Sequence, residues 1–386
     1  MLKMTEKLYY KDAKIKKFDA VVLSCEENKG KFAVILDKTA FFPEGGGQPS
    51  DTGLLNGVRI ENVQENGDAI VHYACEPIAA GTTVSGEIDW DKRFRFMQNH
   101  SGEHIVSGII HSMTGFNNVG FHLGSEDVTL DLDGVMTREQ LNVVERTANQ
   151  AIYDNIHINA EFPDGQTLKT LEYRSKLDLT ENVRIVSIGK YDKCACCAPH
   201  VDYTGEIGII KLLDFESYKG GIRIHMLSGS DAVADYNRKY ANVAAISASL
   251  SAKQNETAAA VARIMNELIE EKRLVGEWKK EYLQLKASLL TPAQENMCIF
   301  ESKCDMNDLR FLVNNAVSIC RGICAAFSGS DENGYQYVMA SNSEDLRKQA
   351  KDINAALNGK GGGSGMIQGS VKCTRQQIED YFKVNQ

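Results

Sequence analysis

The sequence predicts an α+β protein in four successive parts. These are a small N-terminal β-barrel (residues 1–90), a metal-binding α+β domain (91–229), a helical or coiled-coil arm (230–291) and a C-terminal α/β module (292–386). Three observations carry this. Short β-branched runs are broken by turn signals as far as Trp90, apolar residues then take helical spacing, and a long apolar seam ends at Pro292.

The barrel comes from residues 18–90. DAVVLSCEENKGKFAVILD places two β-branched runs around the polar EENKGK, a hairpin signal. VRIENVQENGDAIVHYA repeats the pattern around an Asn-Gly turn. In the second part, DWDKRFRFMQNHSGEHIVSGIIHSM and REQLNVVERTANQAIYDN read as helices. VTLDLDG, IHINAEF, VRIVSIG, IGIIKLLDFES and GIRIHMLSG read as strands. Along the arm, Val261, Ile264, Leu268, Val275, Trp278, Tyr282, Leu285 and Leu289 step by threes and fours, and only Glu271 breaks the seam. Val233, Tyr236, Tyr240, Val243 and Leu250 do the same upstream. Such a seam serves packing within one chain and homodimerisation equally well. After Pro292, DLRFLVNNAVSI, GICAAFSGS, YQYVMASN, SEDLRKQAKDINAAL, GMIQGSV and TRQQIEDYFKV alternate helix and strand.

Composition narrows the function classes. Ten cysteines lie scattered without the spacing of a disulfide framework. The first residues carry lysines but no apolar signal core, and no window holds 18 uninterrupted apolar residues. The expectation is a reducing, cytoplasmic setting, no disulfides and no membrane partner. A formal net charge of −9 announces no polyanion partner, so any such contact needs a local basic patch. Lys3, Lys7, Lys11, Lys14, Lys16 and Lys17 near the start, and Arg347, Lys348, Lys351 and Lys360 near the end, are the candidates. Lysines so placed more often form a solvated face.

Metal chemistry is the sharper signal. His100 and His104 stand four apart in a helical stretch, which puts both imidazoles on one face. KCACCAPHV, residues 193–201, packs three cysteines and a histidine together, and within it Cys196 and His200 repeat the spacing of four. The two pairs make a His₃Cys set suited to tetrahedral zinc. TAFFPEGGGQPSDTG, residues 39–53, adds an apolar strand entry and three consecutive glycines that let the backbone approach another group closely. HSGEH also satisfies HxxEH, a zinc-protease signature with Glu103 as general base. That rival lacks its further carboxylate ligand, and Glu103 is expected on an exposed helix face.

PEGGGQPSDTG, HSGEH, GFHLGSEDVTLDL, CCAPH and YTGEIGIIKL…YKGGIRIHMLSG stand in an order that resembles the AlaX family. These are free-standing relatives of the editing domain of alanyl-tRNA synthetase. The resemblance covers residues 20–230. The arm and LNGKGGGSGMIQGS look like the tail and DHH-associated domain of the long AlaX form, although no Asp-His-His motif occurs. The resemblance implies zinc held by His100, His104, Cys196 and His200, with Cys194 and Cys197 outside the set. Cys197 and Ala198 stand where many relatives have glycines, which leaves a ligand swap with Cys197 open.

It further implies ATP-independent deacylation of tRNA mischarged with serine, and also glycine. A pocket for a small side chain rejects an added hydroxyl by only about 100-fold, so a second sieve is needed. Gln48 and Gly45, Gly46 and Gly47 would hold the aminoacyl-adenosine end, and Thr39 would meet the serine hydroxyl. Lys360 with Gly361, Gly362 and Gly363, read as a glycine loop, would meet RNA phosphates. Homodimerisation would use the arm or the C-terminal module. The rival readings are the HxxEH protease and a nonenzymatic RNA-binding protein with structural zinc.

Overall fold

The computed structural model describes residues 4–124, 127–175, 182–293 and 295–383, so Lys3 lies outside the described residues. Contacts gather the chain into two compact units, Met1–Ala245 and Ile246–Gln386.

In the first unit, six strands close into a barrel in the order Lys17–Asn28, Lys31–Leu36, Ala69–Ala74, Val58–Asn66, Gly53–Leu55 and Thr83–Ile88. Alternation makes this barrel. Val22, Leu36, Ile60, Val63, Ile70 and Val84 point inward and are at most 1% exposed. The N-terminal segment is bound to it: Glu6–Lys7 pairs in parallel with Lys38–Thr39, and Thr5 Oγ1 donates to the Leu36 carbonyl at 2.9 Å. Several of the early lysines are spent locally. Lys7, Lys14 and Lys17 pair with Glu65, Asp202 and Glu87, and Lys16 sits 4.5 Å from the Trp90 ring.

The helix Trp90–Thr114, here the ligand helix, runs through the centre of the rest of this unit. Around it stand an antiparallel four-stranded sheet, a three-stranded sheet of Ile158–Glu161, Ile185–Ile188 and Asp192–Ala195, and the helix Arg138–Tyr153. That last helix begins at a capping box, with Thr137 accepting from the Gln140 N–H. Ile105, Val106, Ile110, Leu130, Val144 and Ile224 form part of the shared core.

The second unit holds a five-stranded sheet, flanked in sequence by the helices Thr257–Ser288, Met306–Ala316, Leu346–Ala356 and Arg375–Phe382. Two sequence expectations are refined here. The arm seam forms helix but stays uncovered: Ile264, Val275, Trp278 and Leu285 are 42–65% exposed, and only Ala260 and Leu283 of Thr257–Ser288 are buried. The glycine-rich stretch is an edge strand, Gly359–Gly362, paired with Ile367–Val371, and not the open loop its glycines suggested. Crowding explains the glycine: a Cβ on Gly361 would stand 2.2 Å from the Tyr337 hydroxyl. Among the described residues no helix is long and apolar enough to cross a membrane.

Candidate metal centre

His100 and His104 share one face of the ligand helix, and Cys196 and His200 come from the turn after the strand Asp192–Ala195. The ligand atoms of the four lie within 4.8 Å of one another. Cys196 Sγ is 3.5 Å from His100 Nε2 and 3.4 Å from His200 Nε2. A tetrahedral ion with Zn–N near 2.0–2.1 Å and Zn–S near 2.3 Å needs an N···S edge of about 3.5 Å. The set therefore has the dimensions and donor chemistry to hold a metal of the zinc type.

Each imidazole is turned inward by a partner on its outer nitrogen. His100 Nδ1 donates to Gln48 Oε1 at 3.0 Å, His104 Nδ1 to Asp192 Oδ2 at 2.8 Å, and His200 Nδ1 to Ser101 Oγ at 3.0 Å. The Nδ1 proton so placed leaves every Nε2 facing the common centre. Arg174 Nε donates to the other Asp192 oxygen at 2.8 Å and keeps that carboxylate in line. Charge follows geometry. Burial pushes the Cys196 thiol up, yet His100 and the hydrogen bonds from His100 and His104 outweigh it and hold it well below the usual thiol range, as a thiolate ligand requires. Burial pushes His200 down to about 3, so it is neutral. Burial also depresses His104, but the Asp192 hydrogen bond wins and keeps it well above its ordinary value. An ion at Nε2 must displace that extra proton.

Close approach to the helix makes the Asp192 contact possible. Gly108 lies one turn beyond His104, and a Cβ there would stand 2.1 Å from the Tyr191 carbonyl and 2.8 Å from Asp192 Cβ. Arg184 shapes the cysteine turn: its Nη1 donates to the carbonyls of Cys196 at 3.1 Å and Ala198 at 2.8 Å. Its guanidinium also lies 5.3 Å from the Tyr10 ring.

The glycine motif is pinned to this centre. Gly45 and Gln48 exchange backbone hydrogen bonds at 3.1 and 3.0 Å. Gly47 has φ +82°, and a Cβ on it would fall 2.6 Å from the Phe121 carbonyl, so glycine is required there. Phe121 in turn packs 4.8 Å from the His100 ring. At the motif's far end, Asp51 and Arg93 form an ion pair that is at most 1% exposed. Arg93 also donates to the carbonyls of Ala13 at 2.9 Å and Ala40 at 2.7 Å, and Asp51 accepts from the Phe42 N–H at 2.6 Å. The first turn of the ligand helix thus grips the motif.

Gln48 is brought against the ligands, and its Nε2 is buried with no hydrogen-bond partner among the described residues. Thr39 makes its side-chain hydrogen bonds with His72 and Phe41, not with the four candidate ligands. His72 donates from Nδ1 to the Val34 carbonyl at 3.1 Å, so its Nε2 accepts from the Thr39 hydroxyl at 2.8 Å. That hydroxyl also accepts from the Phe41 N–H at 3.1 Å and is fully buried. Cys197 lies outside the ligand set, its thiol pushed up to about 11 by burial. Cys194 is nearer than expected, clustered with His104 and Asp192. Lys360 and Gly361–Gly363 belong to the second unit.

One expectation is corrected. Glu103 is 4% exposed rather than on an open face, and its carboxylate accepts from Ser107 and Asn118, the latter at 2.5 Å. The error came from assuming one wet side, because the ligand helix is wrapped on all sides. Asp192, Ser101, Arg174 and Arg184 were missed altogether. Ser101 adjoins a ligand and Asp192 precedes the cysteine run, but nothing in their spacing marks either as a partner.

Residues 183–225 match the family model for the threonyl and alanyl tRNA synthetase second additional domain, and residues 1–92 match that for class II (A) tRNA synthetases. The alanine–tRNA ligase of Ignicoccus hospitalis is 28% identical over 97% of this chain, which spans only 42% of that ligase. Alanyl-tRNA editing protein AlaX-L of Pyrococcus horikoshii is 27% identical over 98% of this chain and 97% of its own length. Alanyl-tRNA editing protein Aarsd1-A of Xenopus laevis is 29% identical over 93% and 92%. Both synthetase-derived domain models thus match this chain, and its likeness to the free-standing editing proteins runs nearly end to end.

Proposed function

We propose that this protein hydrolyses the ester joining a wrong amino acid, chiefly serine and also glycine, to alanine-specific tRNA, with zinc on His100, His104, Cys196 and His200. The observation that carries the reading is the Gln48–His100 bond, which fastens the glycine turn to the metal set and leaves a buried amide N–H₂ without a partner. The names of the full-length relatives support the reaction class.

Zinc, when bound, supplies either a water acidified to a pKa near 7 or a fixed positive charge that polarises and orients the substrate. Four protein ligands favour the second role. The chain's own residues do the rest. Gln48 Nε2 donates to an oxygen of the aminoacyl end, and Gly45, Gly46 and Gly47 let that end lie against the backbone. The Thr39 hydroxyl, which already gives its proton to His72, keeps one lone pair to accept from a serine hydroxyl. Lys360, Gly361 and Gly362 on the exposed edge strand, with Gly363 just beyond it, meet RNA phosphates through an ammonium and backbone N–H groups. The four-part division of the chain and a cytoplasmic setting belong to the same reading.

The protease alternative loses its base, since Glu103 is committed to Ser107 and Asn118. Hydrolysis of seryl-tRNA by the purified chain should disappear on zinc removal and in Cys196→Ala. Peptide cleavage lost in Glu103→Gln, with no effect on the tRNA ester, would favour the protease.

A further inference from the structure

Beside Gln48, one more buried side chain near the metal centre carries an unpartnered polar atom. Tyr9 is 1% exposed, and its hydroxyl has no hydrogen-bond partner among the described residues. Leaving a buried hydroxyl unpaired is unfavourable, so such a group calls for an explanation. The surroundings supply one. The Leu8–Tyr10 turn brings Tyr9 into a small cluster with Phe42 and Ala198, against which Tyr10 and Cys196 pack. The Tyr9 ring stands edge-on to Phe42 at 5.4 Å and to Tyr10 at 4.6 Å. A Cβ on Gly45 would lie 4.0 Å from the tip of Phe42 and 3.7 Å from Cys197 Sγ. Tyr9 therefore packs beside the cysteine turn and, through Phe42, beside the glycine turn that ends in Gln48.

We propose that the Tyr9 hydroxyl is a substrate-binding group of this centre, bonding an oxygen of the terminal aminoacyl-ribose alongside the Gln48 amide. The inference rests on the deacylase reading above. It makes the N-terminal segment, fastened by its pairing to Lys38–Thr39, a third wall of the site beside the glycine and cysteine turns. Burial raises the phenol further above neutrality, so the group stays a protonated donor that can also accept.

Tyr9→Phe keeps the ring and removes only the hydroxyl. The probe is 3′-deoxy-3′-(serylamino)adenosine, an amide analogue that cannot be hydrolysed. Tyr9→Phe should bind it about tenfold more weakly and lower kcat/KM for seryl-tRNA by a similar factor, at unchanged zinc content. Its Tm should be equal to or above that of the parent, because the free protein sheds an unsatisfied hydroxyl. Equal analogue binding and equal hydrolysis would overturn the proposal. So would a fall in Tm, which would mark the hydroxyl as structural. If the parent protein neither binds the analogue nor cleaves seryl-tRNA, the deacylase reading itself fails, and this inference with it.

Discussion

Asp192 would act on a bound metal only through His104, so its effect should be graded and separable from that of a ligand. Asp192→Asn keeps the shape but weakens the pull on the His104 Nδ1 proton, and metal affinity should fall about 10–100-fold. Competition against a chelator measures this. Cys197→Ala should leave affinity unchanged and Cys196→Ala should abolish it. The barrel histidine gives a pH prediction. Burial lowers the His72 pKa from 6.5 to about 4, so between those values the unfolded chain takes up a proton that the folded chain refuses. Stability should therefore fall as pH drops from 6.5 towards 4, by up to about 3 kcal/mol from this group. Denaturation of His72→Asn should show a shallower acid limb than the parent. The four candidate ligands, which the structure brings together, were legible because each pair is a local spacing of four. Their partners were not, since the bonds of Gln48 to His100 and Asp192 to His104 join residues far apart in the chain.

Elements position these groups by contacts that a single missing methyl permits. Gly108→Ala would push the Tyr191–Asp192 backbone off the ligand helix, lowering both metal affinity and Tm; an unchanged metal affinity would disconnect that packing from the site. Arg93→Met would strand the Asp51 carboxylate in the interior and should cost about 3–5 kcal/mol in denaturant titration. At this scale the chain was easy to read where one face is wet. The two barrel hairpins and the helix Arg138–Tyr153 follow alternation, turn residues and a capping box. The ligand helix was read as helix, but Glu103 was misplaced because polar residues buried on a helix look like solvent-facing ones until their partners are known. The glycine-rich Gly359–Gly362 was misread for the converse reason: glycine signals a loop by composition, yet here it admits Tyr337 to the strand.

At the scale of the whole molecule, the barrel and the metal centre lie in one compact unit, so residues 1–245 should fold alone and retain one metal ion. Loss of residues 246–386 should weaken tRNA affinity more than hydrolysis of 3′-O-seryladenosine, an ester that lacks the rest of the tRNA. The central claim is that this unit sorts aminoacyl esters by their small side chains. Deacylation of seryl-, glycyl- and alanyl-tRNA, measured side by side with zinc-loaded protein, tests it most directly. The account predicts rapid loss of the seryl ester, slower loss of the glycyl ester, and alanyl-tRNA spared by a factor approaching about 10⁴. Alanyl-tRNA cleaved as fast as seryl-tRNA, or all three esters left intact by the zinc-loaded protein, would contradict it.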